Sequence, residues 1–368
     1  MSDDWNAFIT EVEPVSRAEG PLAGRKLGVK DLLDTAGIRT TYGSRLYADH
    51  VPDRNATAVQ RLVDAGAVVV GKTHLPEFAW SVLGQSPWYG TCHNPTRPGK
   101  TTGGSSSGSA AALAAGLCDV ALGTDTGCSI RLPAAACEIV GLKSQWGLIP
   151  TEGVFPLVPT IDTVGPMARS VEDVALAWSV LTERPVPAPR LAGLTVGLLR
   201  GAPAVGGPFV PERSDLAEQW VADLERLGAR VVEREIPEPA ANTWPLFDHE
   251  AAIAHRETFP SRADEYGDVI REKLERAQQV DPADVESAYA AVREWRLYEP
   301  DVDLYVSPCV TVDLPGEDVP EPEVRFPISA YLRWVNMIGW AGLAIGNLQL
   351  LAPRDEVVLA AGLAWERG

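Results

Sequence analysis

The tightest constraint on this chain lies between Thr101 and Leu142, where two loops of serine and glycine flank one short helix and one short strand. The first loop reads Thr-Thr-Gly-Gly-Ser-Ser-Ser-Gly-Ser from Thr101 to Ser109. The second reads Gly-Thr-Asp-Thr-Gly-Cys-Ser-Ile-Arg-Leu-Pro from Gly123 to Pro133. Glycine lets backbone N–H groups converge because no side chain stands in the way. Serines in such loops can act as nucleophiles or proton relays. Loops this small add little to a core, so a purely structural role is the weaker explanation.

Around them the pattern alternates between helix and strand. Asn55 to Ala65 reads as a helix with Val59, Leu62 and Val63 on one face and Gly66 as its stop. Ala67 to Val70 follows as a buried strand. Ala110 to Ala115 is a second helix; Val120 to Leu122 and Ile139 to Leu142 are further strands. Ser170 opens a helix as a capping box with Asp173, turning Val174, Trp178 and Leu181 inward. Strands are expected at Leu194–Leu199, Val231–Val232, Val302–Val306 and Leu348–Ala352. An amphipathic helix is expected over Ser214–Leu227, with Leu216, Trp220, Leu224 and Leu227 on its stripe, and a closing helix over Glu356–Trp365. Residues 1–21 read as a polar helix or arm, and the charged stretch within 236–300 as a helical cap. Together these predict one α/β domain of three layers over residues 1–368, with a mixed sheet between helices.

At 368 residues with 45% apolar side chains, the chain can build a large core without metals or disulfides. Its net charge of −18 repels phosphate backbones and anionic lipid, which argues against nucleic-acid and membrane partners. Five cysteines without regular spacing suggest reduced thiols and a cytoplasmic setting. The N-terminus is acidic and lacks an apolar run, so no signal peptide is expected. The five histidines are scattered, with no metal-ligand pairing.

The two loops, together with Val29-Lys30-Asp31, resemble the signature of the amidase signature family of serine amidohydrolases. Gly103, Gly104, Ser105, Ser106, Gly108 and Ser109 match its first part. Gly123, Thr124, Asp125, Gly127, Ser129, Ile130, Arg131 and Pro133 match its second. The resemblance implies the family's α/β fold, a carboxamide substrate, and no metal or cofactor. It implies Ser129 as nucleophile, Ser105 as a relay preceded by a cis peptide bond, and Lys30 as base. It also implies an oxyanion hole from the N–H groups of Thr126, Gly127, Cys128 and Ser129, with Asp125, Arg131 and Ser106 supporting the site. A lysine acts as base only when neutral, and burial at the end of the apolar run Leu27-Gly-Val disfavours its charged form. Phe78 and Trp80, with Trp88 and Tyr89, are candidates for a substrate pocket, though core packing explains them equally well.

Two other expressions match and are set aside. Gly66 to Thr73 fits a phosphate-binding loop, but its middle is a hydrophobic strand. Gly104 to Gly108 fits a nucleophile elbow centred on Ser106, with His249 or His255 as partner, but no strand leads into it. Cys128 replaces a glycine usual in the signature and is expected to narrow the site or make it thiol-sensitive. Near the end, Asn336-Met-Ile-Gly339 runs almost at once into Gly342 to Gln349. A strand and loop are therefore expected to be missing, with a more open pocket or a shortened sheet as the result. The alternatives to a free-standing amidase are the amidase-like component of a glutamine-dependent tRNA amidotransferase and a catalytically silent binding protein. A homodimer is left open.

Overall fold

The computed structural model describes residues 3–14, 19–205 and 212–368. Its strands are β1 Phe8–Glu11, β2 Lys26–Lys30, β3 Val68–Thr73, β4 Gln85–Ser86, β5 Gly90–Thr91, β6 Val120–Asp125 and β7 Val140–Lys143. They continue as β8 Thr163–Ala168, β9 Thr195–Leu199, β10 Arg230–Arg234, β11 Leu304–Pro308, β12 Ala341–Ile345 and β13 Leu348–Ala352. Its helices are α1 Thr57–Asp64, α2 Ser107–Ala114, α3 Arg131–Ala136, α4 Val171–Thr182, α5 Val221–Arg226 and α6 Trp244–Ala254. They continue as α7 Asp268–Ala277, α8 Pro282–Trp295, α9 Glu321–Ser329, α10 Arg333–Ile338 and α11 Asp355–Arg367.

Eleven strands form one mixed sheet in the order β1-β3-β2-β6-β8-β7-β12-β13-β11-β9-β10; β4 and β5 make a separate small hairpin. The pairs β3–β2, β2–β6, β11–β9 and β9–β10 are parallel. The pairs β1–β3, β6–β8, β8–β7, β7–β12, β12–β13 and β13–β11 are antiparallel. Strands covered on both faces need continuous apolar runs, and all six residues of β6 and of β8 are buried. Two core clusters form. One holds α1, α4 and α11 with α6, α7, α8 and α10; the other holds the small residues of α2 and α3 with Ile328 of α9. This is the layered α/β architecture expected.

Several expectations change in detail. Residues 8–11 are not helical: they form β1, an antiparallel edge strand on β3. The helix expected over Ser214–Leu227 breaks into a 3-10 turn at Leu216–Trp220 and the short α5; Leu224 is buried but Leu216 is exposed. The sheet loses no strand near its end. Ala341–Ile345 is present as β12 and turns directly into β13, with Gly346 at φ 53° in the bend. Two residues, Gly346 and Asn347, connect them. The phosphate-loop expression falls in β3, where Lys72 is buried and donates to Leu33 O and Thr40 Oγ1 at 2.6 Å each, 3.5 Å from Asp31.

Candidate active site

The parallel strands β2 and β6 lie side by side and end together, so Lys30 and the Thr124–Asp125 pair emerge at the same edge. In α/β sheets that edge is where ligands are met. The two serine loops fold over it. Gly123 makes the close approach feasible: a Cβ there would stand 2.8 Å from Ser106 Oγ and 2.9 Å from Ile130 Cγ1. The Ser106 N–H donates to Ser129 C=O at 3.0 Å, which ties the first loop to the second.

Lys30 has no exposed surface. Its Nζ lies 2.7 Å from Ser105 Oγ, 2.8 Å from Thr124 Oγ1 and 3.1 Å from Ser106 Oγ. Burial lowers the amine from 10.5 to about 7, against the opposing pull of Asp125 and Asp162. The Gly104–Ser105 peptide is cis. Ser106 donates to Thr124 C=O at 3.3 Å. Ser107 and Ser109, two of the loop serines, do not cap α2; they donate to His74 C=O at 3.2 Å and Leu122 C=O at 3.1 Å, fastening the helix to β3 and β6. Among the described residues Ser105 Oγ and Ser129 Oγ make no direct hydrogen bond; the tie between their loops is the Ser106–Ser129 backbone bond.

Ser129 is 7% exposed and opens onto a cavity of about 40 Å³. Among the described residues the backbone N–H groups of Thr126, Gly127, Cys128 and Ser129 donate to no protein acceptor, whereas those of Ile130 and Arg131 go to Asp125 Oδ2 at 3.0 and 3.4 Å. Four consecutive free donors beside a hydroxyl can stabilise an oxyanion. Thr126 also donates its hydroxyl to Asp162 Oδ1 at 2.6 Å, fixing the start of the loop.

Asp125 and Arg131 brace that loop from inside. The pair is wholly buried, with Arg131 Nη2 3.0 Å from Asp125 Oδ1 and Nε 3.1 Å from Oδ2. Burial alone would raise the carboxyl; the guanidinium overrides it and brings Asp125 down to about 2. The remaining donors of Arg131 reach Asn336 Oδ1 at 2.6 Å, Gln349 Oε1 at 2.9 Å and Leu332 C=O at 2.9 Å. The C-terminal residues Leu332, Asn336 and Gln349 thus supply the outer partners of the loop that carries Ser129.

The cavity walls are Trp80, Leu157, Trp244, Phe247 and Met337, with Glu321, Arg325 and Arg333 at the polar end. Trp80 lines it; Phe78 does not. The Phe78 backbone turns to φ 50°, and its ring packs against His255 at 4.5 Å and Phe155 at 5.0 Å. Trp88 is also elsewhere, donating to Glu77 at 2.8 Å under Arg45. His255 belongs to the Phe78 cluster and bonds Tyr266, remote from Ser106. Cys128 lines the cavity, but burial pushes its thiol up to about 12, so the expected thiol sensitivity has no thiolate behind it. Sequence reasoning does not single out Thr124, Asn336, Gln349 or Arg333 as site residues. Thr124 stands inside the matched motif and is legible there; Arg333 has no local signal. All five cysteines are unpaired and buried. Among the described residues, no helix is long and apolar enough to cross a membrane.

Comparison with known proteins gives the same family from sequence and from structure. The Amidase family profile matches residues 7–301. The A subunit of glutamyl-tRNA(Gln) amidotransferase from Halobacterium salinarum is 31% identical over 98% of this chain and 99% of its own length. Its counterpart from Natronomonas pharaonis is 41% identical over 63% of this chain, a match that spans only 58% of that relative. A crystal structure of an amidase superposes with a TM-score of 0.82 at 28% identity, covering 95% of this chain and 85% of that one. Another neighbour, described as a vestigial protein complex that reveals the origins of an s-triazine catabolic enzyme, superposes at 0.83 with 27% identity over 99% and 91% of the chains. With a profile match over most of its length, the chain belongs to the Amidase family.

Proposed function

We propose that the chain hydrolyses a carboxamide to a carboxylate and ammonia or an amine through an acyl-enzyme on Ser129. The observation that carries this reading is the contact of Lys30 Nζ with Ser105 Oγ, 2.7 Å apart in a buried pocket that holds the amine near neutrality. The Ser106 proton is committed to Thr124 C=O, so Ser106 accepts from Lys30, and the amine's lone pair is free to face Ser105. Ser129 Oγ attacks the carbonyl carbon as its proton passes to Ser105 and that of Ser105 to Lys30. The N–H groups of residues 126–129 hold the oxyanion. Ser105 then returns a proton to the leaving nitrogen as the C–N bond breaks, and Lys30 reprotonates Ser105. Water adds to the ester by the same relay and releases the acid. Closing of Ser105 onto Ser129 accompanies substrate binding, as catalytic hydrogen bonds often tighten only in the complex.

The test is ammonia release from a panel of primary aliphatic, aromatic and indole-type amides. Ser129→Ala and Lys30→Ala are each expected to abolish turnover while circular dichroism stays native. Turnover retained in Ser129→Ala would refute the assignment. Labelling of Ser129 by a fluorophosphonate would rule out a silent binding protein.

A second reading is favoured by the names of the relatives: one component of an amidotransferase, taking ammonia from glutamine and working with other chains. Relatives named as subunits also count against a simple homodimer. Glutamine hydrolysis that appears only when partner chains are added would select this reading.

A further inference from the structure

The cavity in front of Ser129 contains a cation that its neighbours do not neutralise. Arg333, the first residue of α10, is buried to all but 6% and lines that cavity. It runs beside the free N–H loop: a Cβ on Gly127 would touch Arg333 Cγ at 3.6 Å. Its Nε and Nη1 are buried and have no acceptor among the described residues. Its contacts are the ring faces of Phe326 at 4.8 Å and Trp244 at 5.7 Å.

The one carboxylate lining this end of the cavity, among the described residues, is already shared. Glu321 Oε2 accepts from Lys273 at 2.8 Å; Oε1 makes no hydrogen bond but stands 3.6 Å from Arg325 Nε, with which it forms an ion pair. Two cations therefore divide one anion, and Arg333 is left over. Buried charges in proteins are paired, because an isolated one is costly. Burial and the nearby Arg325 lower Arg333 only to about 10, so it stays charged at neutral pH. In a chain of net charge −18, this is a local excess of positive charge beside the nucleophile. A guanidinium of this kind matches a carboxylate in two-pronged geometry. The apolar walls at Trp80, Phe247 and Met337 suit a hydrocarbon spacer.

We propose that Arg333 binds a carboxylate on the acyl portion of the substrate, so that this site prefers monoamides of dicarboxylic acids with an apolar spacer over neutral amides. The proposal rests on the amidase reading of the site, and the experiment separates the two. In the first arm, kcat/KM is compared for glutaric acid monoamide, glutamine and neutral pentanamide. The acid-bearing monoamide is expected to lead pentanamide by about tenfold to a hundredfold, the range of one hydrogen-bonded charge. That ratio is expected to collapse in Arg333→Leu and to return in part in Arg333→Lys. Equal rates for acid and neutral amides in the unaltered protein, or an unchanged ratio in Arg333→Leu, would overturn it. In the second arm, glutarate binding to the unaltered protein is measured by calorimetry, which needs no turnover. Binding that Arg333→Leu removes, in a protein that cleaves no amide, would sustain the anion site and refute the amidase reading. Absence of glutarate binding to the unaltered protein would refute the anion site whatever the variants do.

Discussion

Lys30 Nζ and Ser105 Oγ meet at 2.7 Å although 75 positions separate them in the chain. The contact exists because β2 and β6 run parallel and the Ser105 loop folds over their shared edge. If Lys30 is the base, kcat/KM rises with pH as one proton leaves, is half-maximal near pH 7, and levels off above it. A rate that does not change with pH across the neutral range would exclude Lys30 as the base.

The same shift governs stability. Lys30 titrates at about 7 in the folded chain and at 10.5 when unfolded, so between those values only the unfolded state holds the proton. The cost of burying this amine is full below pH 7 and fades as pH rises towards 10.5. Relative to Lys30→Met, the unaltered protein is therefore expected to gain stability across that window, as measured by urea unfolding at a series of pH values. A difference that stays flat with pH would contradict the burial argument.

The buried Asp125–Arg131 pair should be costly to halve. Arg131→Met leaves a buried carboxylate unpaired and is expected to destabilise by about 3 to 5 kcal/mol. Asp125 titrates at about 2 when folded and 3.8 when free, so its contribution is complete above 3.8 and lost as pH falls through 2. Guanidinium unfolding of each single variant and of the double variant checks this. The double variant is expected to be less damaged than the sum of the singles.

Cys128 sits directly before Ser129, yet burial pushes its thiol up to about 12. Iodoacetamide at neutral pH is therefore expected to leave activity intact. Rapid inactivation with label found on Cys128 would show a thiolate where burial forbids one.

Gly108 stands where helix α2 meets the sheet. A Cβ there would lie 2.2 Å from Ala7 C=O and 2.2 Å from His74 N. Gly108→Ala must push α2 off β3 and is expected to cost about 3 kcal/mol, the upper end of overpacking. Because α2 carries the Ser105 loop, turnover should fall with it; a lowered melting temperature and lost activity together check this.

Much of the architecture is readable in the chain because its signals are local. The loops announce themselves by glycine and serine at fixed spacing, and β3 and β6 by the apolar runs Ala67–Val70 and Val120–Leu122. What sequence reasoning misses depends on distant partners. Phe78 and Trp80 are two residues apart and chemically alike, but only the turn at Phe78 sends one ring into the core and the other to the cavity. The strand at Ala341–Ile345 escapes notice because a tight turn replaces the expected loop and removes the punctuation between two strands. Arg333 carries no motif at all: its meaning comes from Gly127 and Glu321, brought beside it by the fold.

The outer clasp on Arg131, made by Asn336 and Gln349, also sets an order of events. A growing polypeptide has Lys30, Ser105 and Ser129 in hand by residue 129, but the groups that hold Arg131 emerge roughly two hundred residues later. A ribosome-bound fragment that ends before these groups therefore lacks the outer partners of Arg131, and the loop is completed only once α10 and β13 have been made.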